Sequence, residues 1–365
     1  MSGQQSTSWP ASASVILAAR NGIDDSYDNY NYKLLMIKRS ERTALFENQA
    51  VFPGGMFDAF DESVQWLEYF EAFGVTQQQL KELVIISDNR PAILAPQGNG
   101  CYDRFFKRSS IWAREISLRI TAIRETFEEV GVLLCRNKHE LHMNEGFTFV
   151  KDGFDKHYWQ QLVHNDPKEF LRLCQELQVV PDLWSLYEWS AWASPATVKK
   201  RVETAFFIAI LNEKPPTLIE VTEVKECIWQ PPTFLLQMQQ DGELFFLPPQ
   251  IYEISRFVTV KDLFDLKEFA KQRSKKGVTL FLPVPYLCSD GMVVTYPGDD
   301  KYAEDPRSAT KYIRTNLSTS EFRANTKRLH RFEHFGTTEG NIVLNFQPQN
   351  GHLAPTLTVT ASNKL

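Results

Sequence analysis

A layered α/β (α+β) fold is what this sequence predicts, and three observations carry it. Short β-rich runs alternate with helical runs along most of the chain. One run, Glu203 to Leu211, is almost wholly apolar, the signature of a central strand buried on both faces. The segment from about Ser110 to Val130 reads as a single helix with one core-facing stripe. At about 100° per residue, Ile116, Ile120, Ile123, Phe127 and Val130 fall within an arc of about 80°.

The elements follow in order. Val15 to Ala19 and Lys33 to Lys38 read as strands, separated by the turn-forming Asn, Asp and Gly residues of Asn21 to Asn31. Ala50 to Phe52 is a third apolar segment and runs into Pro53-Gly54-Gly55. Glu62 to Phe73 and Gln77 to Ile86 are expected helices, followed by a loop holding Pro91, Pro96, Gly98 and Gly100. Ser109 or Ser110 can cap the long helix, and Gly131 can end it in the left-handed conformation. Helices are expected at Phe154 to Val163 and, after Pro167, at Lys168 to Leu177. Glu226 to Trp229 reads as a strand, and Pro231-Pro232 starts a helix through Gln239. After Leu247-Pro248-Pro249 come helices near Ile251 to Phe257 and Lys261 to Gln272. Strands follow around Thr279 to Leu287, Met292 to Tyr296 and Asn341 to Phe346.

At 365 residues and 43% hydrophobic content the chain can bury a full core. A net charge of −5 supplies no global positive field for a phosphate backbone, so bulk nucleic-acid binding is not expected and an anionic ligand must be met locally. The five scattered cysteines, Cys101, Cys135, Cys174, Cys227 and Cys288, include no C-x-x-C pair and read as packing residues in a reducing compartment. Met1 to Ser14 lacks the basic start and apolar run of a secretory signal. No apolar run approaches the ~20 residues that span a bilayer, so a soluble protein is expected. The terminal Asn363-Lys364-Leu365 resembles the Ser-Lys-Leu peroxisomal address, which would make an import receptor a partner.

The chemistry centres on Glu125, Glu128 and Glu129, which lie opposite the apolar stripe of the long helix. Like charges at this spacing repel unless a cation sits among them. Taken alone they also suit a solvated acidic face. Their context is Arg124-Glu125-Thr126-Phe127-Glu128-Glu129-Val130-Gly131-Val132, with Gly54-Gly55 upstream.

This resembles the Nudix box, G-x5-E-x7-R-E-U-x-E-E-x-G-U with U apolar. The second half matches at every fixed residue, with only Thr126 standing where an apolar residue is usual. The resemblance implies a Nudix α/β/α sandwich with a mixed sheet. It also implies glutamates that hold Mg²⁺ or Mn²⁺ against a diphosphate, with Arg124 orienting them through a contact with Glu128. The first half departs from the pattern. Six residues past Gly55 stands Asp61 in place of Glu, and 62 residues rather than seven separate Asp61 from Arg124. The block at about 62–109 thus reads as a helical insertion splitting the box, which loop-closure entropy tolerates.

A split box of this kind is similar to the peroxisomal coenzyme A diphosphatase branch of the family. Phe52 to Asp58 looks like its glycine turn, in which Gly54 and Gly55 let phosphate approach the backbone. Arg201 to Phe207 is similar to the strand that follows Trp192 and Pro195, and Glu220 to Trp229 with Pro231 resembles the acidic loop behind the metal site. The resemblance makes Glu223 a candidate further metal ligand or general base. Glu203 is either catalytic or a partly buried carboxylate paired with Arg201 or Lys200. The branch's coenzyme A signature is only partly met, because Ala44 and Asn48 stand where it has Arg and Gly. Arg39 and Arg42 lie close enough in sequence to contact phosphates, and Lys38 and Lys199 to Arg201 add local charge.

The expected organisation is a flexible 1–14, a Nudix hydrolase domain over 15–247, a C-terminal extension over 248–350 and a tail over 351–365. The expected activity is metal-dependent cleavage of coenzyme A or acyl-CoA to 3′,5′-ADP and the 4′-phosphopantetheine part. The alternatives are another nucleoside diphosphate derivative, such as an NADH-type dinucleotide or an mRNA cap, and a non-catalytic nucleotide-binding module.

Overall fold

The computed structural model describes residues 9–21, 29–85, 90–94, 114–143, 146–334 and 340–356. The chain runs β1 (Ala11–Arg20), β2 (Tyr32–Arg39), β3 (Ala50–Val51), β4 (Gly54–Met56), α1 (Val64–Phe73), α2 (Gln77–Lys81), α3 (Arg114–Val130) and β5 (Leu133–Arg136). It continues through β6 (Val150–Lys151), α4 (Lys156–Asn165), α5 (Lys168–Glu176), β7 (Val180–Pro181), β8 (Leu186–Ala193), β9 (Glu203–Leu211) and β10 (Val224–Gln230). Three helices follow, α6 (Pro232–Gln240), α7 (Pro248–Arg256) and α8 (Leu263–Ser274). The remainder is β11 (Leu280–Phe281), β12 (Val284–Leu287), β13 (Met292–Thr295), β14 (Ile313–Arg314), α9 (Thr319–Ala324), β15 (His330–His334) and β16 (Gly340–Leu344).

β1 and β9 are the centre of the main sheet, whose order is β10-β2-β1-β9-β8-β11. They pair in parallel from Ala11↔Glu203 to Ala19↔Leu211, while β1 pairs antiparallel with β2, so the sheet is mixed. Successive side chains point to opposite faces of a strand. Ala13, Val15, Leu17 and Ala19 of β1 accordingly join the core beneath α3, and Ile16 and Ala18 join the core beneath α7 and α8. Helices therefore cover both faces, and the chain after 247 builds one of the two cores.

β8 is absent from the sequence-based reading. Glu188 and Ser190 interrupt its apolar pattern, and a bulge between them breaks the period of two. Thr279 to Leu287, expected as one strand, is two. β11 extends the main sheet and β12 belongs to a five-stranded sheet, β14-β12-β13-β15-β16, with Pro283 at the crossing. A small sheet, β6-β5-β7, completes the fold.

The insertion is part of the core. Trp66 and Phe70 of α1 are fully buried, and the Trp66 ring lies 5.7 Å from that of Phe170 in α5. The Tyr69 hydroxyl donates to the carbonyls of Cys174 (2.8 Å) and Val179 (2.7 Å). The second helix of the insertion stops at Lys81 rather than running to Ile86, and the Ile85 N–H turns instead to the Glu115 carboxylate at 3.4 Å. With β1, β4, β5 and α4 packed around α3 and the insertion against its start, every residue of that helix except Glu125 is buried. The face opposite the apolar stripe is therefore not a solvated surface.

Cys135 and Cys174 are buried, Cys227 and Cys288 half-buried, and all four are free thiols. Cys101, the expected Ser109 or Ser110 cap and the Asn363 to Leu365 tail lie outside the described residues. Among the described residues no helix is long and apolar enough to cross a membrane.

Candidate active site

The glycine turn is built against β1. β4 pairs antiparallel with the first half of that strand, Ser14↔Gly54 to Ser12↔Met56, while β2 takes its second half. The Ser14 hydroxyl and the Val15 N–H both donate to the Pro53 carbonyl, at 2.7 and 2.9 Å. Gly54 has φ +150°, and a Cβ there would run into the Ala13 carbonyl and Ser14. At Gly55 a Cβ would overlap the Glu125 carboxylate, so the turn and α3 are in direct contact. The Gly54 N–H donates to Glu129 Oε2 at 2.7 Å.

Arg124 organises the helix side. Its Nε and Nη2 form a two-pronged pair with Asp61 at 3.0 and 2.9 Å, and Nη2 also donates to the Met56 carbonyl at 3.0 Å. Nη1 reaches Glu125 Oε1 at 2.8 Å and Glu128 Oε1 at 2.5 Å, the expected i, i+4 contact. Burial works against the charge of Arg124, yet Asp61, then Glu125 and Glu128, hold its pKa well above the ordinary value. Asp61 is wholly buried and also accepts from the Thr121 hydroxyl at 2.7 Å. Asp61, standing where the box has Glu, thus pairs with the box arginine, and just beyond it Glu62 lies 3.8 Å from Arg114 at the start of α3. In space the split box is closed.

The far end of α3 is fixed as firmly. Gly131 has φ +66°, the left-handed ending expected of it. The last carbonyls of a helix lack partners within it. Here Val130 accepts from the Leu218 N–H (2.8 Å), Glu129 from the Glu220 N–H (3.0 Å) and Glu128 from Gln160 Nε2 (2.8 Å). The Leu218 to Glu223 loop is thus tied to the helix. The Glu223 carbonyl accepts from the Ser40 N–H and the Thr43 hydroxyl at 2.8 and 3.1 Å.

These parts surround a cavity of about 640 Å³. Gly54, Gly55, Arg39, Arg124, Glu125, Glu128, Glu129 and Glu223 all line it. Arg42 does not, and is exposed beside it on the chain. Glu203 is buried and pairs with Arg307, a partner from the C-terminal part rather than Arg201 or Lys200. His164, Gln250, Thr204 and Phe206 also line the cavity and were not picked out from the sequence. His164 Nδ1 is 3.8 Å from Glu128 Oε2.

Negative charge is in excess in this cavity. Burial, with Glu128 adding to it against Arg124, raises the Glu125 carboxyl to about 7. Burial, opposed by Arg124 and aided by Asp61 and Glu223, likewise raises Glu128 to about 7. Glu129 is raised by burial against the pull of the Gly54 N–H. Among the described residues no three His, Cys, Asp or Glu groups converge as a formed metal cage. Arg124 stands between Glu125 and Glu128, and Glu129 is turned to Gly54. The donors of Glu125, Glu128, Glu129 and Glu223 are all carboxylate oxygens carrying surplus charge, a set that suits a hard divalent cation.

The family model for the NUDT19 Nudix domain matches residues 9–257, and that for the NUDT19 C-terminal domain matches 286–345. The chain belongs to the NUDT19 Nudix family. Acyl-coenzyme A diphosphatase NUDT19 of Xenopus laevis is 31% identical over 381 residues, covering 98% of this chain and 97% of the relative. The Homo sapiens protein of the same name is 30% identical over 376 residues, again covering 98% and 97%. The crystal structure of a NUDIX hydrolase from Alicyclobacillus acidocaldarius superposes with a TM-score of 0.50 at 18% identity. It covers 72% of this chain and 97% of that one, and establishes the shared Nudix fold.

Two outcomes follow from this geometry. Asp61→Ala leaves Arg124 Nε and the Thr121 hydroxyl without their buried acceptor while Glu125 and Glu128 still neutralise the guanidinium, and is expected to cost about 1–3 kcal/mol in urea unfolding. A cost under about 1 kcal/mol would show that the pair does not hold the two ends of the insertion. Glu125 and Glu128 titrate near 7 in the folded chain against an ordinary 4.5. In metal-free buffer their contribution to stability is therefore full below about pH 4.5 and lost as pH rises toward 7. The Glu125→Gln, Glu128→Gln double variant should gain in melting temperature over the wild type between pH 5 and pH 7.5, and a narrowing difference contradicts this.

Proposed function

We propose that the cavity hydrolyses the diphosphate linkage of coenzyme A or acyl-CoA, releasing 3′,5′-ADP and the (acyl-)4′-phosphopantetheine part. One observation carries this reading. The glycine turn, Arg124 and the three box glutamates meet in one cavity, in a chain whose relatives of matching length are named acyl-coenzyme A diphosphatases. A cavity of about 640 Å³ has room for the nucleotide part of such a molecule.

Glu125, Glu128 and Glu129, with Glu223 from the facing loop, would hold Mg²⁺ or Mn²⁺. Bound there, the ion would neutralise the non-bridging phosphate oxygens and acidify the attacking water. The chain itself does the rest. Arg124 fixes the directions of Glu125 and Glu128 through its two contacts. Gly55 keeps side-chain bulk out of the space beside the Glu125 carboxylate, and Gly54 lets the turn lie against Ala13 and Ser14 of β1. Arg39, on the same wall, supplies positive charge for a phosphate oxygen. Glu129 or Glu128 accepts the proton of the water as its oxygen attacks phosphorus and the bridging P–O bond breaks. Their raised pKa values make them better bases than ordinary carboxylates. Retention of all three glutamates favours an enzyme over a non-catalytic binding module.

Product analysis with coenzyme A, acyl-CoA, NADH and capped RNA, in Mg²⁺ and in Mn²⁺, distinguishes the substrates. Glu129→Gln should keep the wild-type melting curve yet lose turnover by about 10²–10⁴-fold. Full activity in that variant removes Glu129 from the mechanism. We further propose that Asn363-Lys364-Leu365 directs the chain to the peroxisome through its import receptor. Deleting those three residues should move a fluorescently tagged chain out of peroxisomes, and an unchanged distribution refutes the address.

A further inference from the structure

One wall of the cavity comes from outside the box. Gln250 sits in the first turn of α7, at the third helical position after Leu247, Pro248 and Pro249. That is where a glutamine commonly reaches back to cap its own helix. It does not do so here: Leu247, the residue before the helix, has no side chain that could complete a capping box, and Gln250 Oε1 makes no hydrogen bond among the described residues. Gln250 is 8% exposed, and its Oε1 is buried with no hydrogen-bond partner among the described residues. Leaving an amide oxygen in that state costs about 1–3 kcal/mol. The side chain has no structural employment that offsets this, and it lines the same cavity as the box glutamates.

Its position is well determined. The segment before α7 is tied to the strand leading into the glycine turn. Phe245 N–H donates to the Asn48 carbonyl, and Ala50 N–H to the Phe245 carbonyl, both at 2.9 Å. Phe246 N–H donates to Gln239 Oε1 at 2.6 Å. The hydroxyls of Ser12 and Thr204 in the same lining bond to each other at 2.6 Å. Gln250 is therefore a neutral donor–acceptor group held at a set place relative to Gly54 and Gly55.

We propose that Gln250 is a specificity-determining residue, whose carboxamide pairs with a planar edge of the substrate carrying one N–H donor beside one acceptor. This rests on the coenzyme A reading. Coenzyme A offers such an edge as the N6–H and N7 of adenine, which glutamine pairs with two hydrogen bonds, whereas the N–H and C=O of its pantetheine amides point in opposite directions. A neutral carboxamide contributes little to the charged diphosphate, so its effect falls on binding of the organic part and not on bond cleavage.

The test compares wild type with Gln250→Met, which keeps length and loses the polar head, and Gln250→Glu, which keeps size and loses the donor. Steady-state kinetics with coenzyme A are measured alongside calorimetric binding of 3′,5′-ADP and of 4′-phosphopantetheine. The expected result is a KM raised about 10-fold in both variants, the change in kcat being much smaller, and a similar loss for 3′,5′-ADP. Loss on 3′,5′-ADP supports the adenine edge, and loss confined to 4′-phosphopantetheine overturns it. An unchanged KM in a variant with the wild-type melting curve overturns the proposal, as does a fall in kcat at constant KM. If Gln250→Met does not fold, Gln250→Glu decides in the same way. If the wild type leaves coenzyme A intact, the substrate reading fails, and fragment binding still reports on Gln250 independently.

Discussion

Arg124 is a buried guanidinium whose donors reach Asp61, Glu125, Glu128 and the Met56 carbonyl, and the rest of the site depends on that arrangement. A buried charge is tolerated only when it is paired and hydrogen-bonded. Asp61 meets that condition across 62 intervening residues, and in doing so it pins the start of the insertion to the middle of α3. The same guanidinium fixes two of the three box glutamates and, through Met56, the strand that carries the glycine turn. One ion pair thus sets the distance between the phosphate-accessible turn and the carboxylates.

The insertion alters the electrostatics as well as the topology. It adds Glu62 beside Arg114 and Arg90 against Glu115 and Glu188, and together with β1, β4, β5 and α4 it leaves little of α3 open to water. Solvation no longer offsets the repulsion among Glu125, Glu128 and Glu129, and their carboxyls are pushed up accordingly. An acidic face left on the surface would keep ordinary carboxylates. Burial is what turns this one into a site with an unmet need for a cation.

The chain beyond the box is more than an appendage to this chemistry. α7 and α8 form the second core of the main sheet, Arg307 neutralises Glu203 on the central strand, and α7 delivers Gln250 to the cavity. The box supplies one wall and the C-terminal half another. Reaction class and substrate choice are therefore written on different parts of the chain.

Local pattern determined a great deal by itself. The stripe from Ile116 to Val130, the glycine ending at Gly131, the i, i+4 reach of Arg124 to Glu128 and the buried strand Glu203 to Leu211 all depend on near neighbours, and all were legible in the sequence. The Gly54-Gly55 turn and its pairing with the box helix were legible as a motif. Other features were decided only by tertiary structure. β8 hides its period behind the bulge at Glu188 and Ser190. An ion-pair partner of Glu203 lies 104 residues away in Arg307, and Arg42 is exposed and does not line the cavity that Arg39 lines. Gln250 carries no motif at all. Burial, long-range pairing and the shape of a cavity are properties of segments brought together from distant parts of the chain, and sequence spacing encodes none of them. That is why the carboxylate chemistry could be read from one helix, while the walls that select its substrate required the fold.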